Sequence, residues 1–368
     1  MQINQLWLMN FRNYENAVLE FGDSNLVVGA NGAGKTNILE AVDILATSRS
    51  KIVKGLNKCI RHGMTGYVIS AQLNTENPSG SFSVAFRQER SAERTIKLND
   101  EVLERTSELI GKINSVILLP SDLEIINGQP SLRRKYLDII ISQTEQGYYQ
   151  DLQKYTRALK QRNELLKSLR HAGTGIERSR NAPNDLQIWD KQLAESAGRI
   201  MVKRKEYLAF FQKETSFLYN EMGFAGKLSI QYKTDVSPET AANLKALSVS
   251  RDEDIRFGHT HFGVHTDDFE FWLDENKAAE FCSQGQRRLI AIAFKCAEAK
   301  IKAEKLNDPP IVLVDDVLLE LDLERLNKII TAIAPGSQKI FTVTDTGRFS
   351  PEILSGMKII KIEKGRLV

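Results

Sequence analysis

Gly29-Ala30-Asn31-Gly32-Ala33-Gly34-Lys35-Thr36 match the phosphate-loop pattern G-x-x-x-x-G-K-[ST] at every fixed position. Glycines let backbone N–H groups turn inward around a phosphate, and the helix that follows points its positive end at the same place. Lys35 would reach the β- and γ-phosphates of a nucleoside triphosphate, and the Thr36 hydroxyl would hold Mg²⁺. The flanks fit: Asn25-Leu26-Val27-Val28 predicts a strand feeding the loop, and the run from Asn37 to Leu45 has helical period. A chance glycine-rich turn would not bring both flanks with it. The sequence predicts a nucleotide-binding chain that takes ATP and Mg²⁺, with the loop residues and Asn37 as its contacts.

A second group of chemistry-bearing residues lies far along the chain. Ile311-Val312-Leu313-Val314-Asp315-Asp316 is an apolar strand closed by two acids. A strand beside the phosphate loop needs a carboxylate at its end to hold Mg²⁺, which suits Asp315. Asp316 is placed to orient or deprotonate an attacking water, so Asp316 and Lys35 are the candidate catalytic residues. Upstream, Cys282-Ser283-Gln284-Gly285-Gln286 leads into a helical run beginning at Arg287. Small residues at a helix start again suit close approach to a phosphate. The phosphate loop already occupies one nucleotide, so this segment needs another. The economical solution is a homodimer in which each chain's segment contacts its partner's ATP. His259, His261, His265, Asp267 and Asp268 raise a metal site, but their spacing fits no known ligand set.

The elements that must position these groups come from both ends of the chain. Two short strands flank Asn10-Phe11-Arg12-Asn13-Tyr14, and further strands are expected at Tyr67–Ser70, Phe82–Phe86 and Arg94–Leu98, with a turn at residues 77–80. Ser115–Leu119 reads as a buried strand ended by Pro120. The character changes near residue 121. Helical periodicity runs from Leu132 to Arg170 and from Asp185 to about Glu221 around a polar break, which predicts an antiparallel helical arm. Arg133, Arg157, Lys160 and Arg162 are candidates for a DNA track on that arm; a solvated helix face is the other reading of such charge. The expected division is 1–120 plus 258–368 as one α/β lobe and 121–257 as an inserted, mainly helical second lobe.

The 368 residues are 42% hydrophobic and 26% charged, ordinary for a globular chain, and a net charge of +3 restricts any DNA surface to a local patch. No run of 18 apolar residues suggests a membrane span, and the first residues lack a signal-peptide layout. Three scattered cysteines make neither a disulfide framework nor a zinc site, so a reducing cytoplasm is the expected location. Cys282 and Cys296 read as buried small apolar residues.

Phosphate loop, S-x-G-Q segment and D-D strand, in that order, are the elements of an ABC-type ATPase. The chain resembles the RecF family of bacterial recombination-repair ATPases, relatives of the SMC heads, over nearly its full length. The resemblance rests on Asn10 to Tyr14, Pro120-Ser121-Asp122-Leu123, Arg133 to Asp138, Arg162 to Lys167, Ser283 to Arg288, and Asp315-Asp316-Val317 before Glu320-Leu321-Asp322. It implies an ABC-type head built from both chain ends and places Arg12 and Asn13 near the nucleotide. Ser283 and Gly285 would touch the γ-phosphate of the opposing protomer, with Gln286 supporting that turn and Asp322 at the dimer seam. Thr344 falls where transporter relatives carry a switch histidine. The implied function is ATP-driven clamping of duplex DNA and gap junctions, with weak hydrolysis for release. RecR and RecO are the implied partners, and RecA loading and SOS induction the outcomes. Val264 and Thr266 depart from the family's G-P-H-R-D-D, Leu319 from its S-E-L-D. Asp316 stands where a longer Glu would reach the water better, which agrees with a slow, switch-like ATPase. Two other classes compete. The ATP-binding subunit of a membrane transporter shares the nucleotide motifs but not this inserted arm, nor Thr344 in the switch position; the ATP-binding subunit of another ABC or SMC-type assembly is the broader alternative. A structural SMC-like clamp predicts far longer heptad repeats.

Overall fold

Alternating apolar residues build the first sheet, and one extra residue corrects its phase. In β1 (Gln2–Phe11) the buried positions are Ile3, Leu6, Leu8 and Phe11. The register against β4 (Gly66–Asn74) shifts between Ile3 and Gln5, so a bulge at Asn4 turns Leu6 and Leu8 to the side Ile3 faces. The computed structural model describes residues 1–75, 80–90, 94–109, 111–171, 182–224, 226–316, 328–330, 333, 335–347 and 349–368. Most of the expected turn at 77–80, most of the polar break after Arg170, and the segment holding Leu319, Glu320 and Asp322 lie outside the described residues.

The chain divides into two units, Met1–Asp122 with Phe217–Ala225 and Arg288–Val368, and Leu123–Ser216 with Gly226–Arg287. Elements are numbered along the chain. In the first unit, β1, β2 (Tyr14–Glu20), β4, β5 (Ser81–Glu89), β6 (Thr95–Leu98) and β7 (Glu101–Val102) form an antiparallel sheet in the order β2-β1-β4-β5-β6-β7. A second six-stranded sheet has the order β15-β14-β3-β13-β12-β8. It comprises β3 (Ser24–Val28), β8 (Ser115–Leu118), β12 (Ile311–Asp315), β13 (Lys339–Val343), β14 (Lys358–Glu363) and β15 (Arg366–Leu367). All its pairs are parallel except β14 with β15. Helix α1 (Lys35–Thr47) packs against strands of both sheets. That position explains why Ile38, Leu39, Ala41, Val42, Ile44 and Leu45 are buried around its whole circumference.

The second unit holds α2 (Glu124–Asn127), α3 (Pro130–Thr144), α4 (Tyr148–His171), most of α5 (Ala182–Glu221), α6 (Thr240–Val249), α7 (Arg251–Phe257) and α8 (Ala278–Phe281). The helical run expected from Leu132 to Arg170 is two helices, because Gly147 takes φ 90° between them. Arg162 pairs with Asp190 and Asp151 with Arg199, so α4 and α5 run antiparallel. Three strands, β9 (Leu228–Lys233), β10 (Asp268–Leu273) and β11 (Asn276–Lys277), form a small sheet in the order β11-β10-β9. This sheet moves a boundary: residues 258–287 group with the second unit, not with the lobe that begins at residue 1. The reason is the six-residue antiparallel pairing of β10 with β9, a long-range contact that local periodicity does not report. Helix α9 (Gln284–Leu306) continues the chain into the first unit.

Candidate nucleotide site

The phosphate loop leaves β3 and enters α1 through two glycines with positive φ, Gly32 at 78° and Gly34 at 116°. Gly34 has a second constraint: a Cβ there would lie 2.6 Å from Asn13 Nδ2 and 2.9 Å from the Tyr14 hydroxyl. Those side chains brace the loop from behind. Asn13 Nδ2 donates to Ala33 O at 2.8 Å, the Tyr14 hydroxyl donates to Gly34 O at 3.0 Å, and Asn13 Oδ1 accepts from Asn37 at 2.8 Å. Lys35 is buried, and its ammonium donates to the carbonyls of Gly29 and Ala30 at 2.8 and 3.3 Å. Asn31 and Gly32 are exposed at the loop's tip. No side chain caps α1, and although the Asn37 N–H bonds the Gly34 carbonyl, the N–H groups of Lys35 and Thr36 at its very start suit an anion.

The two acids reach this loop across an intervening strand. In the sheet β13 lies between β12 and β3, with Asp315 opposite Thr342 and Thr342 opposite Val27. Asp315 is buried and accepts from the Thr36 hydroxyl at 2.9 and 3.0 Å through its two oxygens. The hydroxyl of Thr342, itself 2% exposed, donates to Asp315 Oδ1 at 2.7 Å and accepts from the Asp316 N–H at 3.2 Å. Asp316 has φ 46°, and its buried Oδ1 has no hydrogen-bond partner among the described residues. Burial pushes the Asp316 carboxyl above its ordinary range; Lys35 opposes this and Asp315 adds to it. A hydroxyl and a carboxylate that meet behind the loop are the hard oxygen donors Mg²⁺ takes, and the uncapped N–H end of α1 suits phosphate. The residues present fit Mg·ATP.

Thr342 was not singled out in the sequence, nor was Glu40. Thr342's signal is faint, a lone hydroxyl in the strand Lys339–Val343, and it gains meaning only from sheet register. Glu40, buried on α1, receives Arg12 Nε and a second Arg12 nitrogen at 2.7 Å each, and also the Ser50 hydroxyl and the Cys59 thiol. Burial alone would lower the Arg12 pKa, but the Glu40 hydrogen bond and charge raise it overall. Arg12 is thus held on the helix that follows the phosphate loop, and Asn13 on the loop itself.

The Ser283-Gln284-Gly285-Gln286 segment is a reciprocal helix cap. Gln286 N–H donates to Ser283 Oγ at 3.2 Å, and Ser283 N–H donates to Gln286 Oε1 at 2.9 Å, at the start of α9. Ser283 and Gly285 are exposed, and Cys282 is only partly buried, unlike Cys296. Two of the four residues expected on a DNA track are corrected. Arg162 is 0% exposed and bound to Asp190, Asp254 and Thr260. Arg133 is 6% exposed and pairs with both oxygens of Asp268. Buried guanidiniums with such partners hold the second unit together. Arg157 and Lys160 are exposed. The histidines share no strand. His261 meets buried Asp254, His265 lies between the Tyr155 hydroxyl and Thr260 O, and no metal-holding cluster occurs among the described residues.

Comparison with known proteins places this geometry. The model of the RecF/RecN/SMC N-terminal domain matches residues 2–364. The DNA replication and repair protein RecF of Leptospira interrogans is 35% identical over 351 residues, covering 94% of this chain and 92% of the relative. That of Synechocystis sp. is 32% identical over 377 residues, covering 100% and 98%. Among solved structures, the recombination mediator protein RecF-ATPrS in the RecFOR pathway has a TM-score of 0.86 at 30% identity, covering 100% of this chain and 97% of its own. An SMC head bound to the C-terminal winged-helix domain of ScpA, at TM-score 0.58 and 15% identity, shares the fold.

Proposed function

The chain belongs to the RecF family of DNA replication and repair proteins, and we propose that it works as an ATP-driven homodimeric clamp on DNA. The observation that carries its ATP-dependence is the meeting of Thr36 and Asp315 behind the phosphate loop, with Thr342 locking the carboxylate; the dimer and the DNA grip are supported by family membership. Bound Mg²⁺ would supply charge neutralisation at the β- and γ-phosphates. Lys35 and the loop N–H groups other than those of Gly29, Ala33 and Asn37, which already bond the Val343, Ala30 and Gly34 carbonyls, would hold the triphosphate, and Thr36 and Asp315 would hold the metal. Asp316 orients or deprotonates water, and its short side chain keeps turnover slow. Arg12 and Asn13 fix the neighbouring turn. Ser283, Gly285 and Gln286 of one protomer face the γ-phosphate of the other, so ATP closes the dimer and hydrolysis opens it. The clamp grips duplex DNA and gap junctions mostly through phosphates, losing about 0.9 log unit of affinity per log unit of salt for each phosphate neutralised. Relatives act in the RecFOR pathway, which supports RecR and RecO as partners and RecA loading and SOS induction as outcomes.

The test is mass by light scattering without nucleotide, with Mg·ATP, and with Mg·ATP and a short duplex, using Asp316→Asn to slow hydrolysis. Doubling with ATP that Ser283→Arg blocks is the expected result. A monomer under every condition overturns the clamp.

A further inference from the structure

In the second unit, the end of α4 and the end of α7 meet at Gly258, and aromatic and cationic side chains collect there. A Cβ at Gly258 would sit 3.3 Å from Arg170 Cδ and 3.5 Å from Lys167 Cγ, which measures how closely the two ends approach. Arg170 and the His259 ring both reach the Phe257 carbonyl, at 3.2 and 3.3 Å. Phe257, the last residue of α7, is 46% exposed. Around it lie the Arg256 guanidinium at 5.6 Å from the ring centre, His261 at 5.3 Å and His259 at 6.2 Å, with the two imidazoles 4.2 Å apart.

The charge here is not consumed internally. Lys167, Arg170 and Arg256 are exposed and have no ion pair among the described residues. Arg157, Lys160, Lys167 and His171 share one face of α4 at helical spacing, a stripe of about 21 Å at 1.5 Å per residue that leads to Phe257. The stripe's one carboxylate, Glu164, lies 3.9 Å from Lys160; Asp252 and Glu253 are exposed on α7. A half-exposed aromatic side chain with Arg256 over its ring, beside cations that have no ion pair among the described residues and at the end of a cationic helix face, suits a flat base joined to phosphates.

We propose that this cluster binds single-stranded DNA, with Phe257 stacking an unpaired base and Lys167, Arg170 and Arg256 taking the adjoining phosphates. The proposal rests on the DNA-binding reading above and adds to it a site where an unpaired strand is told from a duplex. Stacking tolerates any base, so the site selects strandedness rather than sequence.

The full-length chain with Mg·ATP is titrated against an end-labelled oligothymidine and against a blunt duplex of equal length, read by fluorescence anisotropy. Phe257→Ala should weaken oligothymidine binding about tenfold and leave the duplex unchanged, and Phe257→Trp should restore it. Arg170→Ala with Arg256→Ala should weaken oligothymidine binding and flatten its salt dependence. Circular dichroism melting confirms that the variants fold. No loss in Phe257→Ala, equal loss for both DNAs, or equal displacement of the oligonucleotide by polyglutamate overturns the proposal. A wild-type chain that binds duplex but not oligothymidine overturns it while the clamp stands. A chain that binds neither DNA removes the DNA-binding reading as well.

Discussion

Replacing Thr342 by Val keeps the volume of a buried side chain and deletes one hydroxyl. That hydroxyl donates to the Asp315 carboxylate at 2.7 Å and accepts the Asp316 N–H at 3.2 Å, with the Val314 carbonyl a longer contact at 3.5 Å. A hydrogen bond to a charged group contributes about 1.5–3 kcal/mol. Asp315 keeps its two contacts with Thr36, so the loss falls on the orientation of the carboxylate rather than on its burial. Residues that orient a metal ligand change metal affinity by about 10–100-fold, and 1.5–3 kcal/mol gives the same range. The assay is the Mg²⁺ concentration needed for half-maximal binding of a fluorescent ATP analogue. Thr342→Val should raise that midpoint at least about tenfold, with Mg²⁺-free nucleotide binding little changed, and Thr342→Ser should restore it. An unchanged midpoint in Thr342→Val would refute the claim that this bond sets the carboxylate. Equal loss in the Ser variant would mean that packing, not the hydroxyl, matters.

Gly34→Ala puts a Cβ 2.6 Å from the Asn13 amide in a residue at φ 116°, so nucleotide affinity by isothermal calorimetry should fall more than about tenfold. Asp316 has a folded pKa above its ordinary 3.8, so the folded state binds more protons between these two values and stability declines as pH rises through them. Asp316→Asn, which accepts the same φ, should therefore melt higher than wild type at neutral pH, with the gap closing as pH falls through the folded pKa toward 3.8. A gap that persists at low pH would assign the gain to something other than this carboxylate. Burial pushes the thiols of Cys59 and Cys296 up to about 12. Iodoacetamide near pH 8 should therefore label Cys282 first, read by peptide mass spectrometry; prompt labelling of Cys59 would contradict the packing around Glu40.

Local sequence determined much of the chemistry. A phosphate loop is contiguous, because a strand, a glycine turn and a helix start are one stretch of backbone, so Gly29 to Thr36 could be read directly. An apolar strand ending in Asp315 and Asp316 was legible for the same reason, as was the helix start at Ser283, whose cap partner is three residues away. The tertiary structure decided what depends on register and burial. Which strand separates β3 from β12 follows from the order of the sheet, and that order gives Thr342 its place between the loop and the acids. Whether a lysine or arginine faces water follows from what packs over it. Arg162 and Lys160 stand two residues apart on one helix, yet one is enclosed by Asp190 and Asp254 while the other is exposed. The boundary at residue 287 depended on β10 pairing with a strand some forty positions earlier. Spacing along the chain encodes contacts within a turn or two; the partners of a buried charge are set by segments that meet only when the chain folds.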